Sequence, residues 1–189
     1  MRDKFRRIIT DFIETPIKPV MQRDYNIPID SKKIISLIGV RRSGKSSILF
    51  DLIKKLEKIT PKENIIYINF EDDRLYPLEL KSLDDLLESY YELYPTKRDE
   101  KIYLFFDEIQ VVENWEIYIR RLYDTLNVQI FITGSSAKLL STEIATSLRG
   151  RTISYEIFPF SFKEYLQYKN ININLNSSKS LSFIKNAFL

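Results

Sequence analysis

An α/β fold, built on a parallel sheet with helices on both faces, is predicted from three observations. Apolar runs of strand length alternate along the chain with segments whose apolar residues recur at helical spacing. The runs are nearly continuous in Ile, Leu, Phe and Tyr, as expected of strands buried on both sides. Two of only four glycines stand five residues apart in "LIGVRRSGKSS", between one such run and the next helical segment.

The first strand is carried by Ile34, Ile35, Leu37 and Ile38. Ile48, Leu49, Leu52, Ile53 and Leu56 then give a helical face. Further strands are expected over 65–72, 101–109, 128–136 and 151–158. Leu83, Leu86, Leu87, Tyr90 and Tyr94 form a helical stripe behind Ser82 as N-cap, and Trp115, Tyr118, Ile119, Leu122 and Leu126 form another. A helix is expected from 136 to about Leu148. The aromatic residues on these faces suit packing better than base stacking. Near the N-terminus, Phe5, Ile8, Ile9, Phe12 and Ile13 lie on one helical face that stops near Pro16 and Pro19. Its mixed-sign opposite face favours docking over a membrane surface. "SFKE" has capping-box form, with Ser161 and Glu164 opening a helix. The stretch 170–180 is rich in Asn and Ser, and a new apolar pattern then runs for nine residues, as expected of a chain cut at a domain boundary. The expected organisation is a lead-in helix over 1–20, a core over 21–168, and a linker with the start of a C-terminal region over 169–189.

Composition narrows the chemistry. The chain has 189 residues, enough to bury a core, and a net charge of +3. It has no cysteine, which excludes disulfides and thiolate catalysis. It has no histidine, so acid–base work falls to carboxylates, lysine or tyrosine. Nucleic-acid binding has no support in composition, because Lys and Arg are spread out and no helix-turn-helix or zinc finger is visible. No apolar stretch approaches the ~20 residues needed to span a bilayer. A secretory pattern is also lacking, which gives the expectation of a cytoplasmic protein.

Gly39, Gly44, Lys45 and Ser46 fit G-x-x-x-x-G-K-[ST], the P-loop, in the strand–loop–helix setting it requires. Backbone N–H groups of Gly39, Val40, Arg41, Arg42, Ser43, Gly44, Lys45, Ser46 and Ser47 would form the nest for a polyphosphate. Lys45 would reach the β- and γ-phosphates, and the Ser46 hydroxyl would hold Mg²⁺. The side chains of Arg41 and Arg42 are expected to face solvent or a neighbouring acid. The strand 101–109 carries "LFFDE", a Walker-B form. Asp107 would hold Mg²⁺ with Ser46. Glu108, expected on the other side by strand alternation, would orient or deprotonate water.

A Glu directly after that Asp, with one extra strand between the two motifs, resembles the additional-strand catalytic-glutamate class of P-loop ATPases. The resemblance implies a three-layer P-loop NTPase with five parallel strands in the order 5-1-4-3-2. It also places "TGSS" beside the γ-phosphate, with Thr133 and Ser135 as candidate phosphate sensors; Ser135 or Ser136 as a helix N-cap is the other reading. "GVRRSGKSSIL", "FFDEIQVVENW", "FITGSSAKLLS", "LRGRT" and "PFSFKEYL" together look like the prokaryotic AAA-type ATPases, in the AAA/STAND-like branch, that carry an uncharacterised C-terminal domain. That resemblance spans about residues 20–166 and implies ATP/ADP and Mg²⁺ as ligands, ATP hydrolysis, and a protein about twice this length whose C-terminal domain is a partner of the ATPase. Arg151 matches the family's arginine position, where it would stabilise the transferring phosphoryl group in cis, or in trans from a homo-oligomer; a salt bridge is the alternative. Arg23 and Asp24 precede the first strand, where such folds often cover adenine, although spacing alone gives them no base contact. Two other functions stay open beside ATP hydrolysis that drives or switches an attached domain. One is a nucleotide-dependent switch without turnover, and the other is a small P-loop kinase.

Overall fold

The computed structural model describes residues 1–135, 147–171 and 182. Five strands are described: β1 (Ile34–Gly39), β2 (Ile65–Asn69), β3 (Ile102–Asp107), β4 (Val128–Ser135) and β5 (Thr152–Glu156). The helices with them are α1 (Arg2–Glu14), α2 (Lys45–Leu56), α3 (Asp84–Leu93) and α4 (Trp115–Thr125). All strand pairs are parallel, in the order β2-β3-β4-β1-β5. This is the expected 5-1-4-3-2 sheet read from its other edge.

The sheet is apolar on both faces because its strands alternate between two cores. Ile34 and Ile38 of β1 join Leu104 and Phe106 of β3 on the face covered by α1, α3 and α4. Ile35 and Leu37 join Phe105 of β3 and Phe131 of β4 on the face covered by α2. Phe105 and Phe131 stack with ring centroids 4.4 Å apart. Trp115 and Tyr90 are buried in the first core, as packing residues.

α1 is docked, as its sequence predicts. Phe5, Ile8 and Ile9 are buried, and the helix packs against α3 and β2. Arg2 secures its start through ion pairs with Asp85, Glu88 and Glu92 of α3. Most of the apolar face is therefore covered by this chain, with Phe12 and Ile13 half-buried at its end. Among the described residues no helix is long and apolar enough to cross one.

Several boundaries differ from expectation, two of them with a plain local cause. β2 ends at Asn69 and does not reach 72, because Asn69 Oδ1 accepts the N–H of Glu71 and starts a turn. Asp72 then caps a short 3₁₀ helix, Asp73–Leu75, by accepting from the Arg74 N–H. Ser82 is not the cap of α3. A 3₁₀ helix, Leu80–Leu83, runs directly into α3, so Ser82 lies inside backbone that is already helical. The acids Asp84 and Asp85 instead occupy the first turn, where the helix dipole favours them.

The chain divides into two compact units, Met1–Pro159 and Phe160–Leu189. In the second, the helix Phe162–Tyr168 opens on the expected capping box, with Ser161 and Glu164 bonding reciprocally. Residues 136–146 and most of the expected linker and C-terminal pattern lie outside the described residues, as does Ser136.

Docking of α1 gives a direct expectation. Phe5 is fully buried, so Phe5→Ala should lower stability by about 3–5 kcal/mol. Urea denaturation checks this, and a loss below about 1 kcal/mol would mean that the helix is not part of the folded core.

Candidate functional site

The loop between β1 and α2 is shaped by close backbone approach. A Cβ at Gly39 would stand 2.2 Å from the Ile157 carbonyl oxygen and 2.8 Å from Ser43 Oγ. Only glycine leaves room, since the Ile157 N–H donates to the Ile38 carbonyl at 2.6 Å and presses the exit of β5 against the loop. Gly44 has φ 95°, in the left-handed region. It leads into α2, whose N-terminus has no side-chain cap, so the first N–H groups point outward as an anion nest requires. Arg23 supports the loop from behind. It is buried, and its guanidinium donates to the carbonyls of Ser43 at 3.0 Å, Phe158 at 2.9 Å and Pro159 at 3.3 Å. These contacts tie the loop to the exit of β5, which is a structural use of the side chain.

Lys45 is the centre of the site. It is 4% exposed. Its Nζ donates to the carbonyls of Gly39 at 3.1 Å and Val40 at 3.2 Å, and stands 3.6 Å from Glu108 Oε1. A buried ammonium must be paired, and here the loop and one carboxylate supply the partners.

The ends of β3 and β4 supply the acids. Asp107 is buried, with Thr133 Oγ1 donating to Oδ1 and Tyr67 Oη donating to Oδ2 at 2.9 Å. Thr133 Oγ1 also accepts the Glu108 N–H at 2.9 Å. One hydroxyl thus holds both consecutive acids. Burial first, then the Asp107 carboxylate, pushes the Tyr67 phenol well above its ordinary range, so it remains a donor. Glu108 does not reach the site by strand alternation. β3 ends at Asp107, and Glu108 adopts φ 54°, ψ 44°, a left-handed conformation that turns its carboxylate toward Lys45. Such backbone is sparsely populated by non-glycine residues and occurs where a side chain must be aimed. Gln110 Nε2 donates to the other oxygen, Glu108 Oε2, at 2.6 Å.

The structure therefore brings together the loop 39–47, Lys45, Asp107, Glu108 and Thr133. Ser135 lies beside Gly39 in the β1–β4 register, at the start of the loop. Arg41 meets Glu71 at 3.2 Å, and Arg42 is exposed, as expected for both side chains. Arg151 is not brought in. Its guanidinium grips Asp124 at 3.0 and 3.1 Å, and its carbonyl accepts the N–H of Ile34, the first residue of β1. That is the amino end of the sheet, whereas the loop lies at the carboxyl end of β1. Tyr67 and Gln110 were not singled out by sequence. Tyr67 was legible from period two, since Tyr67, its partner Phe105 and Asp107 share one sheet face. Gln110 had no such signal.

Asp107 fits a divalent ion. Its two oxygens accept only from neutral hydroxyls, and among the described residues no cation pairs with it. The described residues contain no group of three or more His, Cys, Asp or Glu that could hold a metal alone. Mg²⁺ beside a triphosphate does not need one, because water and phosphate oxygens complete its shell. A cavity of about 330 Å³ beside Tyr67, lined by Phe12, Ile17 and Phe50 among others, is mostly apolar and does not suit phosphate.

The AAA_14 model, described as an AAA domain, matches residues 31–166. An uncharacterised protein of Methanocaldococcus jannaschii, MJ1544, is 48% identical over 170 residues, which is 89% of this chain and 36% of that protein. An uncharacterised protein of Haemophilus influenzae is 43% identical over 144 residues, 76% of this chain and 35% of that one. The chain thus spans about a third of the length of these relatives. Among solved structures, AMPPCP-bound DnaA from Aquifex aeolicus is similar, with a TM-score of 0.47, 16% identity, and coverage of 80% of this chain and 49% of that one.

The double use of Thr133 is testable. Thr133→Val keeps the shape but leaves the Glu108 N–H and one Asp107 oxygen without a partner. Stability should fall by about 1–3 kcal/mol in thermal or urea unfolding. An unchanged midpoint would mean that the hydroxyl does not hold the two acids in solution.

Proposed function

The chain belongs to the AAA domain family, and on that footing we propose that it binds ATP with Mg²⁺ on the loop 39–47 and hydrolyses it, with Glu108 as the base. The observation that carries this reading is the meeting of Lys45 and Glu108, 3.6 Å apart, at the mouth of the loop. The ammonium marks where phosphate charge would sit, and the carboxylate already faces that place.

Bound triphosphate would draw Lys45 from the carbonyls of Gly39 and Val40, as a stronger acceptor than either. Ser46 and Asp107 would hold Mg²⁺, which supplies charge neutralisation at the phosphate oxygens. Glu108 takes a proton from water as the water oxygen bonds to the γ-phosphorus. The bond from that phosphorus to the bridging oxygen breaks, and ADP leaves with the electron pair. Thr133 keeps Asp107 and Glu108 in register with each other. Arg151 faces away from its own loop, so any action on a phosphoryl group is in trans, on a neighbouring copy. The relatives are more than twice this length, which supports hydrolysis that drives or switches a further region.

Glu108→Gln should keep ATP affinity in Mg²⁺ while single-turnover hydrolysis falls by ~10²-fold or more. Asp107→Asn should instead weaken Mg²⁺-dependent affinity. Wild-type turnover by Glu108→Gln would leave a nucleotide-binding switch rather than this enzyme. Arg151→Ala should leave ADP affinity nearly intact. If a neighbour supplies the arginine, mixing Arg151→Ala with Asp107→Asn restores hydrolysis that neither has alone; wild-type turnover by pure Arg151→Ala would leave a structural arginine.

A further inference from the structure

The turn after Glu108 is built to return one side chain to it. Glu108 in the left-handed region begins a 3₁₀ helix, Ile109–Val111. Ile109 and Val112 are fully buried and anchor the turn at both ends, and the Val111 N–H closes it on the Glu108 carbonyl at 3.1 Å. Gln110 lies between these anchors. Its Nε2 donates to Glu108 Oε2 at 2.6 Å, while its own Oε1 is buried with no hydrogen-bond partner among the described residues.

That imbalance is informative. A buried carbonyl oxygen without a donor is costly, so a purely structural glutamine would be placed where both ends of its amide are used. Here the bond to Glu108 is the one polar contact the side chain makes among the described residues. Its orientation is set by chemistry, since the reversed amide would face its oxygen to a carboxylate. The carboxylate is then divided between two partners. Gln110 holds Oε2 and Lys45 stands 3.6 Å from Oε1. Lys45 has another use once phosphate is bound, whereas Gln110 has none.

We propose that Gln110 is the positioning residue of the base, holding Oε2 of Glu108 so that Oε1, released when ATP takes the Lys45 ammonium, faces the attacking water. This rests on the reading of Glu108 as the base. Gln110 gives up no proton and touches no reacting atom. A neutral amide suits this place, because a cation there would compete with water for the carboxylate.

The test is a mutant cycle in the intact protein, reading ATP affinity in Mg²⁺ and single-turnover hydrolysis. Gln110→Met keeps side-chain length without a donor. It should retain affinity within about threefold and slow hydrolysis about 10- to 100-fold, the range for partners that orient a functional group. Added to Glu108→Gln, it should slow hydrolysis no further, since no base remains to be positioned. Wild-type turnover by Gln110→Met, equal slowing in both backgrounds, or a loss confined to affinity would each overturn the proposal. So would loss of cooperative unfolding by both Gln110→Met and Gln110→Ala, which would mark the amide as structural. If Glu108→Gln alone hydrolyses like wild type, the base reading fails and this inference goes with it. A slow Glu108→Gln with a normal Gln110→Met removes this inference only.

Discussion

The ammonium of Lys45 is the charge around which the site is organised. It is buried, so it needs acceptors, and it finds them in the carbonyls of Gly39 and Val40 and in Glu108. These partners come from β1 and from the turn after β3, which are not neighbours in the sheet. β4 lies between them. The pair therefore closes over the end of β4, and Thr133 on that strand ties Asp107 and Glu108 together beneath it. Strand order, the left-handed turn at Glu108 and the glycine at position 39 all serve one geometric end. They let a cation from one strand–helix junction meet a carboxylate from the turn after another strand.

The ends of the sheet have different jobs. Ligands in open α/β sheets bind outside the carboxyl ends of the strands, and the loop 39–47, Asp107, Glu108 and Thr133 all lie there. The amino end holds Arg151, paired with Asp124, and the backbone bond from Ile34. Arg151 is held at that end by its own fold.

Much of this was legible in the sequence. Near-continuous apolar runs gave the five strands, and the spacing of Gly39, Gly44 and Lys45 gave the loop. Local patterns sufficed there, because a buried strand and a phosphate nest are each specified by consecutive residues. The misses are contacts between residues distant in sequence, or boundaries set by backbone. Arg23 meets Ser43, 20 residues on, and Phe158, 135 residues on. β2 stops at Asn69 because a side-chain oxygen captures a following N–H, which apolar pattern does not report. Ser82 fails as a cap because a 3₁₀ turn precedes the helix. Glu108 was assigned to the site from strand alternation, but it arrives by a backbone turn.

The proposed binding of ATP depends most directly on Lys45 as the seat of phosphate charge. Calorimetric titration of ATP with Mg²⁺ into the wild type and Lys45→Ala decides this. Truncating a buried charge partner should cost about 3 kcal/mol or more, roughly a 100-fold or greater loss of affinity, with the variant still folded by thermal unfolding. Unchanged affinity in a folded Lys45→Ala would contradict the account, because the loop would then not be where the nucleotide binds.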